Sequence, residues 1–303
     1  MKYRHRIKYI EKDGELWPAD FSADFPYVGY FLEINNAEDG QNFWHWHKAV
    51  TIFYVEKGTL EINTPVGKSI FPAGSGGFIN SDVIHKYQMG QDTECIVRLH
   101  LFDASFLSGQ YGSKIEQKFI VPLLTAPHVE IIKRYPENRE HIDFLENLSC
   151  SFLLSENDFA YEIRLRAALS ELWCDFLKNL KLAKNRESTT SLLRCKIKKM
   201  LRYIWLNYSE KITIFEIAEA SGVSTRECFR IFHDCLHTTP MNYLKEYRIQ
   251  KACRMLAESN LPLAEISAFC GIGRNCYFSK IFQEVMGCTP VEYRKKWQHY
   301  RNI

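Results

Sequence analysis

Two histidines separated by one residue, His45 and His47, carry the most versatile chemistry in the first third of the chain. On a strand, residues two apart project from the same face, so both rings point to one side of the sheet. An imidazole can ligate a metal, exchange a proton near neutral pH, or simply hold a hydrogen bond. His85 and Tyr87 repeat the one-residue spacing further on, and Tyr54 adds another hydroxyl. With Phe43 and Phe53 as apolar walls, these groups suit a pocket for a sugar or a similar small polar molecule. At this level three readings stay open: hydrogen-bonded strand residues, metal ligands, or contacts to a bound small molecule.

The last third offers different chemistry, set in a phrase written twice. The first copy runs from Thr213 to Phe232 and closes at Pro240 and Tyr243; the second runs from Leu263 to Phe282 and closes at Pro290 and Tyr293. Ile217 and Ile266 are 49 residues apart, while Phe232/Phe282, Pro240/Pro290 and Tyr243/Tyr293 are each 50 apart. A shared period of this length marks duplicated supersecondary units, with one extra residue in the second turn. Thr213 and Glu216 form a capping box at the start of a helix. Gly222 and Gly271 permit the turn where that helix stops, and Ser224 can cap the next one. Ile217, Val223, Cys228, Ile231 and Phe232 recur at the spacing of a buried helical face. Each copy therefore predicts a helix-turn-helix, over about 213–236 and 262–286, whose second helix can enter the major groove of DNA. Packing Cys228, Ile231, Phe232 and Cys235 inward leaves Thr225, Arg226, Phe229, Arg230 and His233 outward.

This region resembles the DNA-binding domain of the AraC/XylS family of transcription regulators. The stretch from Gly271 to Arg294 is similar to the family signature almost position by position, and the likeness covers about the last hundred residues. The resemblance implies base contacts from Arg226, Phe229 and Arg230 in the first unit and from Asn275, Cys276 and Lys280 in the second. Arginine pairs bidentately with guanine and asparagine with adenine, whereas Phe229 can only meet a thymine methyl or pack. Thr225 belongs to the same outer face, and Arg274 and Ser279 suit phosphates, which position without specifying. Lys196–Tyr208 should form a supporting helix, and Pro240–Ala257 the helix that spaces the two units about one turn of DNA apart.

His45, His47, Thr51 and the run to Gly58 resemble the first motif of the cupin barrel, and Pro72–Gly74 with His85 is similar to the turn and late histidine of AraC-type sensor barrels. The glutamate of metal-binding cupins falls at Thr51, and the histidine of their second motif at Gly77. The resemblance thus implies an effector-sensing barrel without a catalytic metal, and no cofactor is expected.

The elements needed to position these groups are legible. β-rich segments at Tyr27–Ile34, Phe43–His47, Val50–Glu56, Thr59–Asn63, Gly77–Asn80, His85–Gln88 and Glu94–Leu101 alternate with Gly/Pro turns, as in an antiparallel sandwich or barrel. From Ala160 to Leu182 one long helix is expected, with Leu165, Leu169, Leu172, Phe176 and Leu180 as an apolar stripe. That stripe serves either the barrel or a second subunit; the resemblance favours dimerisation. Residues 183–192 are polar and read as a linker.

The expected class is therefore α+β. It comprises an N-terminal cupin-like antiparallel β-barrel (1–105), a helical dimerisation region (106–182), the linker, and an all-α double helix-turn-helix domain (193–303). The 303 residues are ample for two domains. Residues 193–303 hold 18 Lys/Arg against 10 Asp/Glu, while the remainder holds 21 against 26, which fits a polyanion-binding module joined to one that avoids the polyanion. Ten cysteines without a Cys-x-x-Cys pair suit reduced thiols, and no stretch approaches the roughly 20 apolar residues that cross a bilayer. The reading is a cytoplasmic, non-enzymatic homodimeric regulator that binds operator DNA and senses a small molecule such as a sugar. As an activator, it would engage RNA polymerase. The alternatives are a cupin-type metal-dependent isomerase or dioxygenase carrying a DNA-binding tail, and a regulator whose barrel is only a dimerisation scaffold.

Overall fold

Alternation of apolar side chains along β5 (Val50–Lys57) explains the N-terminal architecture: Phe53 and Val55 enter one apolar layer, Val50 and Ile52 another. A computed structural model of the protein describes residues 2–3, 9–12, 15–18, 21–22, 24–34, 44–92, 94–110, 112–126, 129–180, 190–273 and 275–299. They form two compact units, divided between Ser191 and Leu192.

In the first unit, β1 (Lys2–Tyr3), β4 (Tyr27–Ile34), β10 (Cys95–Phe102), β5, β8 (Gly76–Ile79) and β11 (Ile131–Arg134) make a six-stranded sheet in that spatial order. Only its β1–β4 edge is parallel among the described pairings. β7 (Gly67–Pro72), β6 (Thr59–Thr64) and β9 (Lys86–Met89) make a three-stranded antiparallel sheet, and β2 (Tyr9–Lys12) pairs with β3 (Glu15–Pro18). The two larger sheets bury Tyr30, Leu32, Phe53, Val55, Leu60, Ile62, Phe71, Tyr87 and Leu99 in one cluster. They remain separate ladders, so the expected barrel is a cupin-like sandwich that does not close among the described residues.

The opposite face of the large sheet is covered by helices. α1 (Ser105–Ser108), a π-helical turn at Glu116–Ile120 and α2 (Val121–Leu124) lead to β11, then to a 3₁₀ turn at Arg139–His141, α3 (Ile142–Ser151) and α4 (Tyr161–Leu180). Leu165, Leu169, Leu172, Trp173 and Phe176 of α4 share a core with Val50, Ile52, Phe78, Phe102 and Phe144. The stripe read as a subunit contact is thus used within the chain, because it closes over an apolar sheet face that would otherwise meet water. Buried Arg134 pins β11 to α4 through Asp175 at 2.6 Å, with its guanidinium over Phe144 and Phe176.

The second unit is helical: α5 (Thr190–Asn207), α6 (Ile214–Glu219), α7 (Thr225–Leu236), α8 (Pro240–Glu258), α9 (Leu263–Phe269), α10 (Asn275–Met286) and α11 (Pro290–His299). α5 begins inside the expected linker, most of which lies outside the described residues. α8 serves both copies of the repeat. Trp205 of α5 donates to Tyr243 at 2.7 Å and stacks on Tyr247, near the start of α8. Its later residues Ile249, Ala252, Cys253 and Leu256 share a core with Ile266, Phe278, Ile281, Phe282 and Tyr293. Arg248 ties the two halves by donating to the carbonyls of Tyr208 and Glu210.

Candidate DNA-reading surface and a buried histidine cluster

α6 starts where Thr213 and Glu216 cap each other reciprocally, and this hydrogen bonding holds the Glu216 carboxyl below its usual range. After the Gly222 turn, Ser224 accepts from the Glu227 amide and starts α7. Its inner face buries Cys228, Ile231, Phe232, Cys235 and Leu236. Thr225, Arg226, Phe229 and Arg230 consequently stand outside, with Phe229 44% exposed. Glu227 takes Lys196 of α5 at 2.8 Å, which lowers its pKa and braces α7 from behind. Arg230 lies 3.8 Å from Glu227 and 3.9 Å from Asp234, exposed pairs that solvent screens and a phosphate or base can replace.

The second copy reaches the same arrangement by different local means. Pro262 precedes α9 without a side-chain cap, and the turn uses Gly271 at φ 65° and Gly273 at φ 89°. A Cβ on Gly271 would sit 2.4 Å from the Ser209 carbonyl oxygen, so only glycine fits there. α10 buries Phe278, Ile281, Phe282 and Met286 and exposes Asn275, Cys276 and Lys280, while Ser279 is half-buried. Arg274 lies outside the described residues. Tyr277 is 57% exposed on this helix and was absent from the expected set. Its signal was its place between outward Cys276 and inward Phe278, which helical spacing alone leaves ambiguous.

The other candidate site lies between the sheets of the first unit. His45, His47 and His85 are fully buried, and one ligand-capable atom of each lies within 4.8 Å of the others. They reach this spot outside regular strands: His45 pairs with His85 through an isolated bridge, where a strand from Phe43 to His47 was expected. Phe43 itself lies outside the described residues. The His47 Nδ1–H donates to the Ala49 carbonyl at 2.7 Å and the His85 Nδ1–H to the Val83 carbonyl at 2.8 Å. A carbonyl oxygen only accepts, so in both rings Nδ1 carries the proton and Nε2 the lone pair. Tyr87 completes the cluster with its hydroxyl 3.1 Å from the His85 Nε2. Burial pushes the His47 pKa down to about 4, and burial plus the neighbouring imidazoles pushes His85 down in the same direction. At neutral pH these are uncharged nitrogen donors.

Tyr54 does not join them. It sits on the other face of β5, against the helical layer, because one step along a strand reverses the side chain. Gly77, where the cupin likeness places a histidine, packs against the Ile132 carbonyl so closely that a Cβ would approach it to 2.2 Å. No side chain fits at that position, and the late histidine is His85 instead.

Residues 217–296 match the helix-turn-helix domain family. Over 275 residues, 90% of this chain, the protein is 26% identical to the uncharacterised HTH-type transcriptional regulator YdeC of Bacillus subtilis, 93% of which is covered. This chain is a transcription regulator with an AraC-type DNA-binding domain. Over 94 residues the chain is also 33% identical to the uncharacterised HTH-type transcriptional regulator YisR of Bacillus subtilis, covering 31% of this chain and 33% of that protein. A solved AraC-type regulator from Chromobacterium violaceum is similar over 34% of this chain and 91% of its own, at 27% identity and a TM-score of 0.33. Among the described residues no helix is long and apolar enough to cross a membrane.

Proposed function

We propose that this AraC-type regulator reads operator DNA with α7 and α10 in neighbouring stretches of the major groove, and that a ligand taken up between the sheets of its first unit controls that binding. The observation that carries the reading is the duplicated outward surface. Arg226, Phe229 and Arg230 on one helix and Asn275, Cys276 and Lys280 on the other stand exposed over tightly packed inner faces. Arg226 and Arg230 supply guanine contacts, Asn275 an adenine contact, and Phe229 an apolar one. Lys280 adds a further base-edge contact, while Thr225, Ser279 and Arg274 add contacts that set register on the backbone.

Ligand control requires a difference in affinity between two states of the protein. His45, His47, His85 and Tyr87 are the groups assigned to the ligand. The protein acts without enzymatic activity, in the cytoplasm, as a homodimer that engages RNA polymerase when it activates. Leu153, Phe159 and Ile163, all strongly exposed around the α3–α4 connection, are apolar side chains suited to a symmetric contact.

The test is binding of the full-length chain to DNA upstream of its own gene across a salt series. Sequence-specific, salt-sensitive binding weakened by Arg230→Ala and by Lys280→Ala is expected. Binding indifferent to sequence and to both substitutions would overturn the assignment.

A further inference from the structure

Three imidazoles brought together in a protein interior are an unusual use of space, because each is a polar ring buried at the expense of hydration. Here the arrangement has the properties of a nitrogen-donor cage. His45, His47 and His85 converge with ligand-capable atoms within 4.8 Å of one another. Tetrahedral coordination at ordinary zinc–nitrogen distances separates its nitrogens by roughly 3.3 Å, so small side-chain adjustments bring the set into range. His47 and His85 each spend Nδ1 on a backbone carbonyl, at 2.7 Å and 2.8 Å, which makes Nε2 the metal-facing donor; on His85 an ion would displace the Tyr87 hydroxyl, 3.1 Å from that nitrogen. Metal-binding histidines are held in this way, with the distal N–H fixed by a carbonyl or carboxylate that sets tautomer and ring direction.

We propose that His45, His47 and His85 bind one divalent transition-metal ion of the zinc class, and that this ion is the ligand, or part of the ligand, that the first unit senses. The second half of the proposal rests on the sensing role given above; the first half stands on the histidines alone. The donor set differs from the one the cupin likeness suggested. Thr51 occupies the carboxylate position and Gly77 leaves no room for the second-motif histidine, while His85 enters from the connection before β9. The ion is therefore held by three neutral nitrogens with no carboxylate from Thr51, and its remaining positions are open to Tyr87 or an incoming small molecule. Three neutral ligands suit zinc, cobalt(II), nickel or copper better than magnesium or calcium, which demand oxygen. The near-complete burial of the cluster also fits a single ion better than a sugar ring.

The experiment uses full-length protein stripped with chelator and titrated with cobalt(II), followed by absorption and elemental analysis. One cobalt per chain is expected, with ligand-field bands of nitrogen coordination and no thiolate-to-cobalt charge transfer. Loss of one ligand should weaken binding by more than the ~10–100-fold typical for a supporting second-layer partner, so His47→Ala and His85→Ala should abolish it in practice. The ten cysteines make the spectral signature decisive: a sulfur charge-transfer band would place the ion elsewhere and overturn the proposal. So would the absence of any cobalt bands in folded wild-type protein, an outcome that needs no variant to fold. Operator affinity is measured in parallel with and without zinc. Zinc bound at the histidines without any change in operator affinity would overturn the sensing half alone. Wild-type protein that binds operator but takes up no cobalt would overturn the metal and leave the DNA-reading assignment standing.

Discussion

The two units place their polar chemistry in opposite environments. In the first, His45, His47, His85 and His100 are buried and their neighbours are apolar rings, carbonyls and hydroxyls. In the second, Arg226, Arg230, Asn275 and Lys280 stand in water on helices whose inner faces are apolar. Burial disfavours charge, so the first unit offers neutral nitrogen to a ligand; exposure preserves charge, so the second offers cations to a polyanion. The contrast also separates stability from function. Buried groups cannot be altered without disturbing the fold, whereas exposed ones can be changed with little structural consequence.

The largest expected effect of that contrast is on acid stability. His47 and His100 have folded pKa values of about 4 and about 3, below the unfolded value near 6.5, so the unfolded chain binds more protons as pH falls. Their contribution is present above pH 6.5 and is lost progressively as pH falls toward 4 for His47 and toward 3 for His100. Each is expected to remove about 2 kcal/mol between pH 6.5 and pH 5, and His85 acts in the same direction. Urea unfolding at the two pH values, followed by probes in each unit, should show the loss confined to the first. An equal loss in the helical unit would break the comparison.

Within the second unit, Gly271→Ala should be nearly as severe. The left-handed backbone costs an alanine about 1–2 kcal/mol, and the clash with Ser209 adds a comparable amount, giving about 3 kcal/mol in chemical denaturation. Gly222→Ala should cost only the backbone part, since nothing lies within 4 Å of its added Cβ. Similar losses at both sites would show that the second turn is less tightly seated than its geometry indicates.

Arg230→Ala should leave unfolding unchanged within about 0.5 kcal/mol yet weaken specific operator binding by about 1–3 kcal/mol, measured by fluorescence anisotropy. Lys280→Ala should weaken binding by less, reduce the salt slope by about one and relax base preference at a single position. If Lys280→Ala left base preference unchanged, its base contact would be ruled out and Lys280 would only position the helix. The smallest effect is expected at Thr213→Ala, about 1 kcal/mol of stability from the lost capping box.

How much of this was legible depended on the range of the interactions. The helix-turn-helix units could be read because caps, turn glycines and a 3.6-residue apolar period are local signals, and their duplication gave each copy a control. β4, β5, β6 and β10 could be read from alternation, with ends differing from expectation by a residue or two. β7 and β11 could not. β7 sits among the residues that looked like turn punctuation, and β11 earns its place only by pairing with β8. Tyr54 was misassigned to the pocket because composition alone does not tell which face of β5 is lined by helices.

The sequence by itself determined the helices α7 and α10 and their outward residues, because each depends on spacing within a single element; it singled out the His45/His47 pair, though the strand expected to carry it is only an isolated bridge. The tertiary structure alone decided that His85 completes the pair while Tyr54 lies behind the sheet, that the leucine stripe of α4 closes the chain's own core, and that Gly271 must be glycine. Each of those outcomes depends on atoms distant in sequence (Ser209 against Gly271, His45 against His85, the sheet against α4), and no local pattern encodes which distant partner arrives.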